Sequence, residues 1–184
     1  MPARGEKGIA ALEFALILPV LLVMVFAIID VGRLIQARLV ITNVSREGGS
    51  LASRNKDMSD KDLFDMLQAS GSPLDLTGSG RIYISRIHAG TKVGPGNILL
   101  PVIDSQSQAG SLDANSSINS NFPYLGLSWD LYKHLVFHDD SRQTSDISEI
   151  TVVEVYYQYT FITPLPKFIF GGILKNNIGS KAVF

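Results

Sequence analysis

The chain has 184 residues, no cysteine and a formal net charge of −1. The lack of cysteine excludes disulfide staples, thiolate catalysis and cysteine metal sites, and a near-neutral chain carries no global field that would steer nucleic acid or an acidic partner. Beyond the first 55 residues about 130 remain, enough for one modest soluble domain and too few for two large ones.

Residues 9–29 read IAALEFALILPVLLVMVFAII, an apolar run with Glu13 as its single charge. About 20 apolar residues suffice to cross a bilayer as a helix. A carboxylate within such a run costs of order 2.5–3.5 kcal/mol near the bilayer centre, so a retained Glu13 needs a reason. The run is too long for the core of a cleaved secretory signal, and no A-x-A pattern precedes Asp30. A plain single-pass anchor and a prepilin-type segment, whose short basic leader is removed after a glycine, are the other two readings. Charge does not orient the span: Arg4 and Lys7 precede it, and Arg33 and Arg38 follow it.

Past Asp30, Val31, Leu34, Ile35 and Leu39 recur at helical spacing. The pattern predicts one helix from about Ile9 to about Ser53, roughly 65 Å long at 1.5 Å per residue. Its first half is all-apolar, for lipid, and its second half amphipathic, to pack on a soluble domain. Pro19 removes one backbone hydrogen bond and is a site for a kink. Gly48-Gly49 is the first paired breaker.

Ser59 followed by Asp60 and Asp62 predicts a capped helix ending at Gly71. Residues 81–88 alternate as a strand, and residues 98–103 read as an edge strand because of Pro101. Gly94-Pro95-Gly96 is a turn. From Asp104 to Asn121 the composition turns to Ser, Asn and Gln, which predicts a long loop. Residues 125–138 read as a short helix. Residues 150–162 form the strongest strand, with Val153, Val155, Tyr157, Tyr159 and Phe161 on a core face and Glu154, Gln158 and Thr160 on a polar one. Pro164 and Pro166 end it, and residues 175–184 are a closing strand. The predicted class is α+β: a long N-terminal helix packed on a small antiparallel sheet.

The strongest chemical signal is Gly8 followed by Ile-Ala-Ala-Leu-Glu-Phe. A cut after Gly8 makes Ile9 the new N-terminus and Glu13 the fifth residue, one helical turn from an α-amine that is mostly cationic at neutral pH. An ammonium and a carboxylate in one low-dielectric belt stabilise each other, and between chains the same pair sets axial register. The bland reading is that Glu13 rests at the headgroup interface.

Gly8, Glu13-Phe14-Ala15-Leu16, Pro19, Ile28-Ile29-Asp30-Val31-Gly32-Arg33 and Ser45-Arg46-Glu47-Gly48 together resemble the N-terminus of the TadE-like family. These are minor pilins, or pseudopilins, of tight-adherence (Tad/Flp) pilus systems. The resemblance covers about residues 5–54. The family's usual ending, close to A-R-x-G-A-R, is replaced here by Ser-Arg-Glu-Gly-Gly-Ser. It implies a leader at 1–8 cut by a prepilin peptidase between Gly8 and Ile9, and a helix over 9–54 spanning the membrane at 9–29. It also implies a periplasmic α+β domain over 55–184. Glu13 and Phe14 would serve processing and assembly, and Asp30, Gly32 and Arg33 would lie beside the membrane. The implied partners are the bacterial inner membrane, the peptidase, the major Flp pilin, other minor pilins such as TadF, and the Tad assembly platform. Neither nucleic acid nor any cofactor is among them. The implied role is pilus assembly, adhesion or biofilm formation, with incorporation in the extracellular pilus as a further expectation. An uncleaved inner-membrane scaffold of a Tad-type secretion complex is the alternative.

Enzyme readings carry less. His134 and His138 are four apart, with Asp130, Asp139 and Asp140 nearby, but the H-E-x-x-H signature is absent. No serine sits in G-x-S-x-G. Arg33, Arg38 and Arg46 offer contacts to lipid phosphates or simply a solvated face. No catalytic, cofactor or metal residue is expected.

Overall fold

The computed structural model describes residues 4–55, 58–93, 98–138, 149–163 and 177–184. The chain divides into two units, one of Met1–Ala37 with Tyr159–Asn176 and one of Arg38–Gln158 with Asn177–Phe184. The Gly94-Pro95-Gly96 turn, Asp139, Asp140, Pro164 and Pro166 lie outside the described residues.

Helix α1 runs unbroken over Arg4–Arg54, through Pro19 and through Gly48-Gly49. The glycine pair therefore does not break the helix. In the larger unit, Ile41, Val44 and Ala52 are buried at helical spacing, with Gly48 on the same stripe. A Cβ added at Gly48 would lie 2.8 Å from Leu67 Cδ1 and 3.1 Å from Val153 Cγ1. The small residues face the sheet because they let the backbone approach it. The face expected from large residues is not the buried one: Val31, Ile35 and Leu39 are exposed. Ser45, fully buried, shares a hydrogen bond with Ser180 at 2.9 Å and donates to the Thr42 carbonyl.

Helix α2, Asp60–Ser70, begins at Ser59 as expected, with the Ser59 hydroxyl accepting from the Asp62 N–H. Its Leu63, Phe64 and Leu67 are buried. Among the described residues five antiparallel strands follow: β1 Gly80–Val93, β2 Ile98–Ala109, β3 Phe137–His138, β4 Glu149–Gln158 and β5 Asn177–Val183. Their spatial order is β3-β2-β1-β4-β5. The α+β class and the closing strand agree with the sequence reading.

Four local expectations change. Strand β2 extends through Asp104–Ala109, which composition marked as loop; backbone pairing with β1 from Ser105 to Ala109 needs no apolar side chains. Pro101 lies opposite the irregularity between His88 and Lys92, where a missing N–H costs no ladder bond. The segment read as helix over 125–138 is helical only over Trp129–His134, here α3, capped by Ser128. Strand β4 stops at Gln158, so Tyr159 and Phe161 leave the sheet rather than joining the domain core.

The largest revision concerns the second face of the sheet. Ile82, Ile84, Val153 and Val155 pack with Ile41, Val44, Leu63, Phe64 and Leu67 on one side. Ile150, Val152 and Ile87 pack with Ile118, Leu127 and Leu135 on the other. The sheet is thus covered on both faces, by helices on one and by the segment after β2 on the other. Arg81 Nε donates to the Leu112 carbonyl (2.7 Å) and the Tyr83 hydroxyl to the Ala114 carbonyl (2.5 Å), holding that segment down.

One ion pair ties α2 to the sheet. Arg86 Nη2 lies 2.7 Å from Asp60 Oδ1, and the Ser107 hydroxyl also donates to Asp60. The Arg86 hydrogen bond holds the Asp60 carboxyl below its ordinary 3.8. A folded-state pKa below the unfolded one gives stability that is present above about pH 4 and lost as pH falls through the lower value. Asp60→Asn should therefore lower stability by about 1 kcal/mol at neutral pH. Thermal unfolding against pH should show the gap between wild type and variant closing as the pH falls below the ordinary carboxyl value of 3.8. A gap that stays constant to pH 2 would show that the pair contributes through shape alone.

Candidate functional site

Every residue from Gly8 to Ile29 is exposed. Leu16 and Ile28 each leave about 70% of their surface uncovered, at 71% and 69%. A core helix of a soluble protein buries such a run; this one does not. Its length and composition suffice to cross a membrane. Glu13 and Phe14 are exposed within it, and Ile9 and Glu13 are one turn apart on the same side. A Cβ added at Gly8 or Gly32 would meet nothing within 4 Å. Glycine inside a helix costs about 1 kcal/mol relative to alanine, and packing among the described residues explains neither position.

Asp30 is different. It is the first charge after the apolar run, and it is only 2% exposed. Its carboxylate accepts the backbone N–H of Ile162 (3.2 Å) and of Thr163 (3.3 Å), and the Thr163 hydroxyl. The Tyr159 hydroxyl donates to the Asp30 carbonyl at 3.4 Å, and Tyr159 stacks edge-on against Phe161 with centroids 5.2 Å apart. This arrangement fastens the chain leaving β4 to the end of the apolar run of α1. Of the three juxtamembrane residues singled out in sequence, Asp30 alone has such partners; Gly32 and Arg33 are exposed, as are Arg38 and Arg46.

A second polar centre was not anticipated. Glu154 was assigned to a polar face, yet it is fully buried. Its carboxylate accepts from the Ser116 hydroxyl, from the Ser117 N–H (3.1 Å) and hydroxyl (2.5 Å), and from the Tyr156 hydroxyl (3.0 Å). Lys181 Nζ donates to the Ser117 hydroxyl (3.2 Å) and the Gly126 carbonyl (3.0 Å). Burial, and next the Glu154 charge, push the Tyr156 hydroxyl up to about 12, so it remains a donor at any physiological pH. Together these bonds hold the segment after β2 down on the sheet. The sequence did carry a signal: Ile150 and Val152 share Glu154's face, and two buried apolar neighbours imply that the acid is covered too.

The histidine pair does not assemble. Helix α3 ends at His134, and His138 belongs to β3, so the spacing of four does not place them on one helix face. Among the described residues no group of three possible ligands could hold a metal ion.

The TadE-like protein family model matches residues 8–50. The resemblance read from Gly8, Glu13-Phe14, the Asp30 stretch and the Ser45–Gly48 turn is thus borne out for the N-terminal helix. No curated protein and no solved structure matches the chain.

Proposed function

We propose, from the TadE-like match, that the chain is a minor pilin of a Tad-type pilus, inserted in a bacterial inner membrane through residues 9–29. In this reading a prepilin peptidase removes residues 1–8, and the domain from about residue 55 occupies the periplasm. The mature helix packs against the major Flp pilin and other minor pilins on the Tad assembly platform. The chain is a peptidase substrate rather than an enzyme.

The observation that carries this reading is that the family match opens at Gly8, directly before an apolar helix exposed along its whole length to Ile29. Two further features support it. Among the described residues, a Cβ at Gly8 or Gly32 would meet nothing within 4 Å. Val31, Ile35 and Leu39 extend the exposed apolar surface past Asp30, at a spacing that suits a neighbouring helix. Glu13 then pairs with the new Ile9 amine, within a chain or between chains, and fixes helix register.

Mass spectrometry of the protein from membranes tests this. Wild type should begin at Ile9, and Gly8→Val should retain the leader. A wild-type chain still beginning at Met1 or Pro2 would overturn the pilin reading in favour of an uncleaved anchor. Glu13→Ala should be processed yet fail to support piliation; normal piliation would remove Glu13 from assembly.

A further inference from the structure

We propose that the larger unit carries a binding site for neutral glycans beside β2. A cavity of about 490 Å³ opens there. One wall is β2 from Leu100 to Ile103, and the other is built by Phe122, Tyr124 and Tyr132. Gln106, Asn119 and Ser120 supply its polar groups, and among the described residues no charged side chain lines it. A pocket with aromatic walls and a few fixed polar groups is the usual form of a small-ligand site.

The backbone at this place is unusual. Tyr124 (φ 56°, ψ 28°) and Leu125 (φ 57°, ψ 19°) are consecutive left-handed residues, and neither is glycine. Such conformations are costly for side chains with a Cβ and gather at functional sites. Leu125 packs against the second core cluster, so burial accounts for it. Tyr124 is 45% exposed, and burial does not account for its position. Its ring instead lies 4.9 Å from Trp129 and 5.3 Å from Tyr132, with Trp129 and Tyr132 nearly parallel at 26°. Phe122 and Trp129 are about half exposed. The turn thus spends strain to present aromatic faces to solvent.

The polar groups decide the ligand class. The two hydrogens of Gln106 Nε2 are shared among Ser85 Oγ, Ser116 Oγ and the Ile118 carbonyl, which fixes the amide and turns its carbonyl oxygen into the group offered as acceptor. Asn119 Oδ1 accepts from the Asn121 N–H, which leaves the Asn119 amide hydrogens as donors. The Ser120 hydroxyl serves as either. A sugar ring presents an apolar C–H face to aromatic rings and hydroxyls that both donate and accept. A proline-rich peptide instead needs an extended aromatic groove and offers mainly carbonyl acceptors. The mixed donor and acceptor set favours the sugar, and a lining with no charged side chain among the described residues disfavours phosphates and carboxylates.

Trp129 is the chain's single tryptophan and reports directly on this cluster. The full chain, in a non-glycosidic detergent, is applied to an array of neutral oligosaccharides, and hits are titrated by Trp129 fluorescence beside decaproline. The expected result is a saturable response to a neutral oligosaccharide and none to decaproline. Phe122→Ala and Tyr124→Gly, which remove rings that are half exposed, should each raise Kd about tenfold or more. Tyr132→Phe, which keeps the ring, should bind as wild type within about threefold. An array without a hit for a chain with normal circular dichroism, a response to decaproline alone, or unchanged affinity in both ring-removing variants would overturn the proposal. Because residue 9 onward is common to processed and unprocessed chains, this outcome is independent of the pilin reading.

Discussion

Glu154→Ala should lower the stability of the chain by about 3–5 kcal/mol, the largest loss expected from removing one polar side chain. Glu154 is fully buried and accepts four hydrogen bonds, from Ser116, Ser117 and Tyr156. Alanine leaves the Ser117 N–H without an acceptor and opens a void under the segment that covers the second sheet face. Each buried donor left unpaired costs about 1–3 kcal/mol, and the serine hydroxyls recover part of this by rotating. The thermal midpoint of the full chain, followed by circular dichroism, should fall on the order of 10–20 °C. Glu154→Gln separates shape from charge. Its amide oxygen still serves the Ser117 N–H, and its amide hydrogens find the hydroxyls as acceptors, so the loss should be about 1–2 kcal/mol. A Glu154→Ala midpoint within a few degrees of wild type would mean that Ile118 and Leu127 hold the segment by packing alone.

Gly48→Leu should cost about 3 kcal/mol, through overpacking at the upper end of its usual range. Even a single Cβ at Gly48 meets Leu67 at 2.8 Å and Val153 at 3.1 Å, and both side chains are fully buried. Leucine is a better helix former than glycine by about 0.8 kcal/mol, which offsets only part of this. The partner identifies the mechanism: Leu67→Ala alone should cost about 2–5 kcal/mol as a cavity. In the Gly48→Leu background the same substitution should be far milder, because the new side chain takes the vacated space. Strict additivity in that cycle would place the clash elsewhere. Gly49 supplies the contrast. Its added Cβ would run into the Phe184 ring, but that side chain is 45% exposed and can rotate away. Gly49→Ala should therefore be nearly neutral. The Gly48 result bears on function as well, since Ser45-Arg46-Glu47-Gly48 is the last motif within the TadE-like match. In this chain that motif seats the helix on the sheet, with Ser45 bonded to Ser180 and Gly48 against Leu67 and Val153.

Several things were legible in the order of residues alone, and each rests on local physics. The apolar run at 9–29 was legible because lipid selects for composition over about 20 residues. The capped start of α2 at Ser59 was legible because capping is settled within four residues. The long helix, the α+β class, the closing strand and the TadE-like likeness of the N-terminal segment came from the same kind of signal.

Other features depended on partners far away in the chain. Asp30 and Thr163 are 133 residues apart, and nothing near Asp30 names its donors. Glu154 looked solvent-facing because alternation distinguishes the two sides of a strand without saying whether the second side is covered. Covering it required the segment around Ser116 and Ile118, whose serines and asparagines resemble a free loop until their hydrogen bonds are assigned. Strand β2 was cut short for the same reason, since its polar half is held by β1 backbone rather than by burial. The seat of α1 was misjudged because periodicity counts large apolar residues, whereas the closest approach of helix to sheet is made where Gly48 is smallest. Sequence by itself determined the long N-terminal helix, the capped start of α2 and the run fit for a membrane, because those are questions of neighbouring residues. Tertiary structure alone decided which polar groups are buried and which glycine is a contact, because burial depends on what the rest of the chain brings to that place.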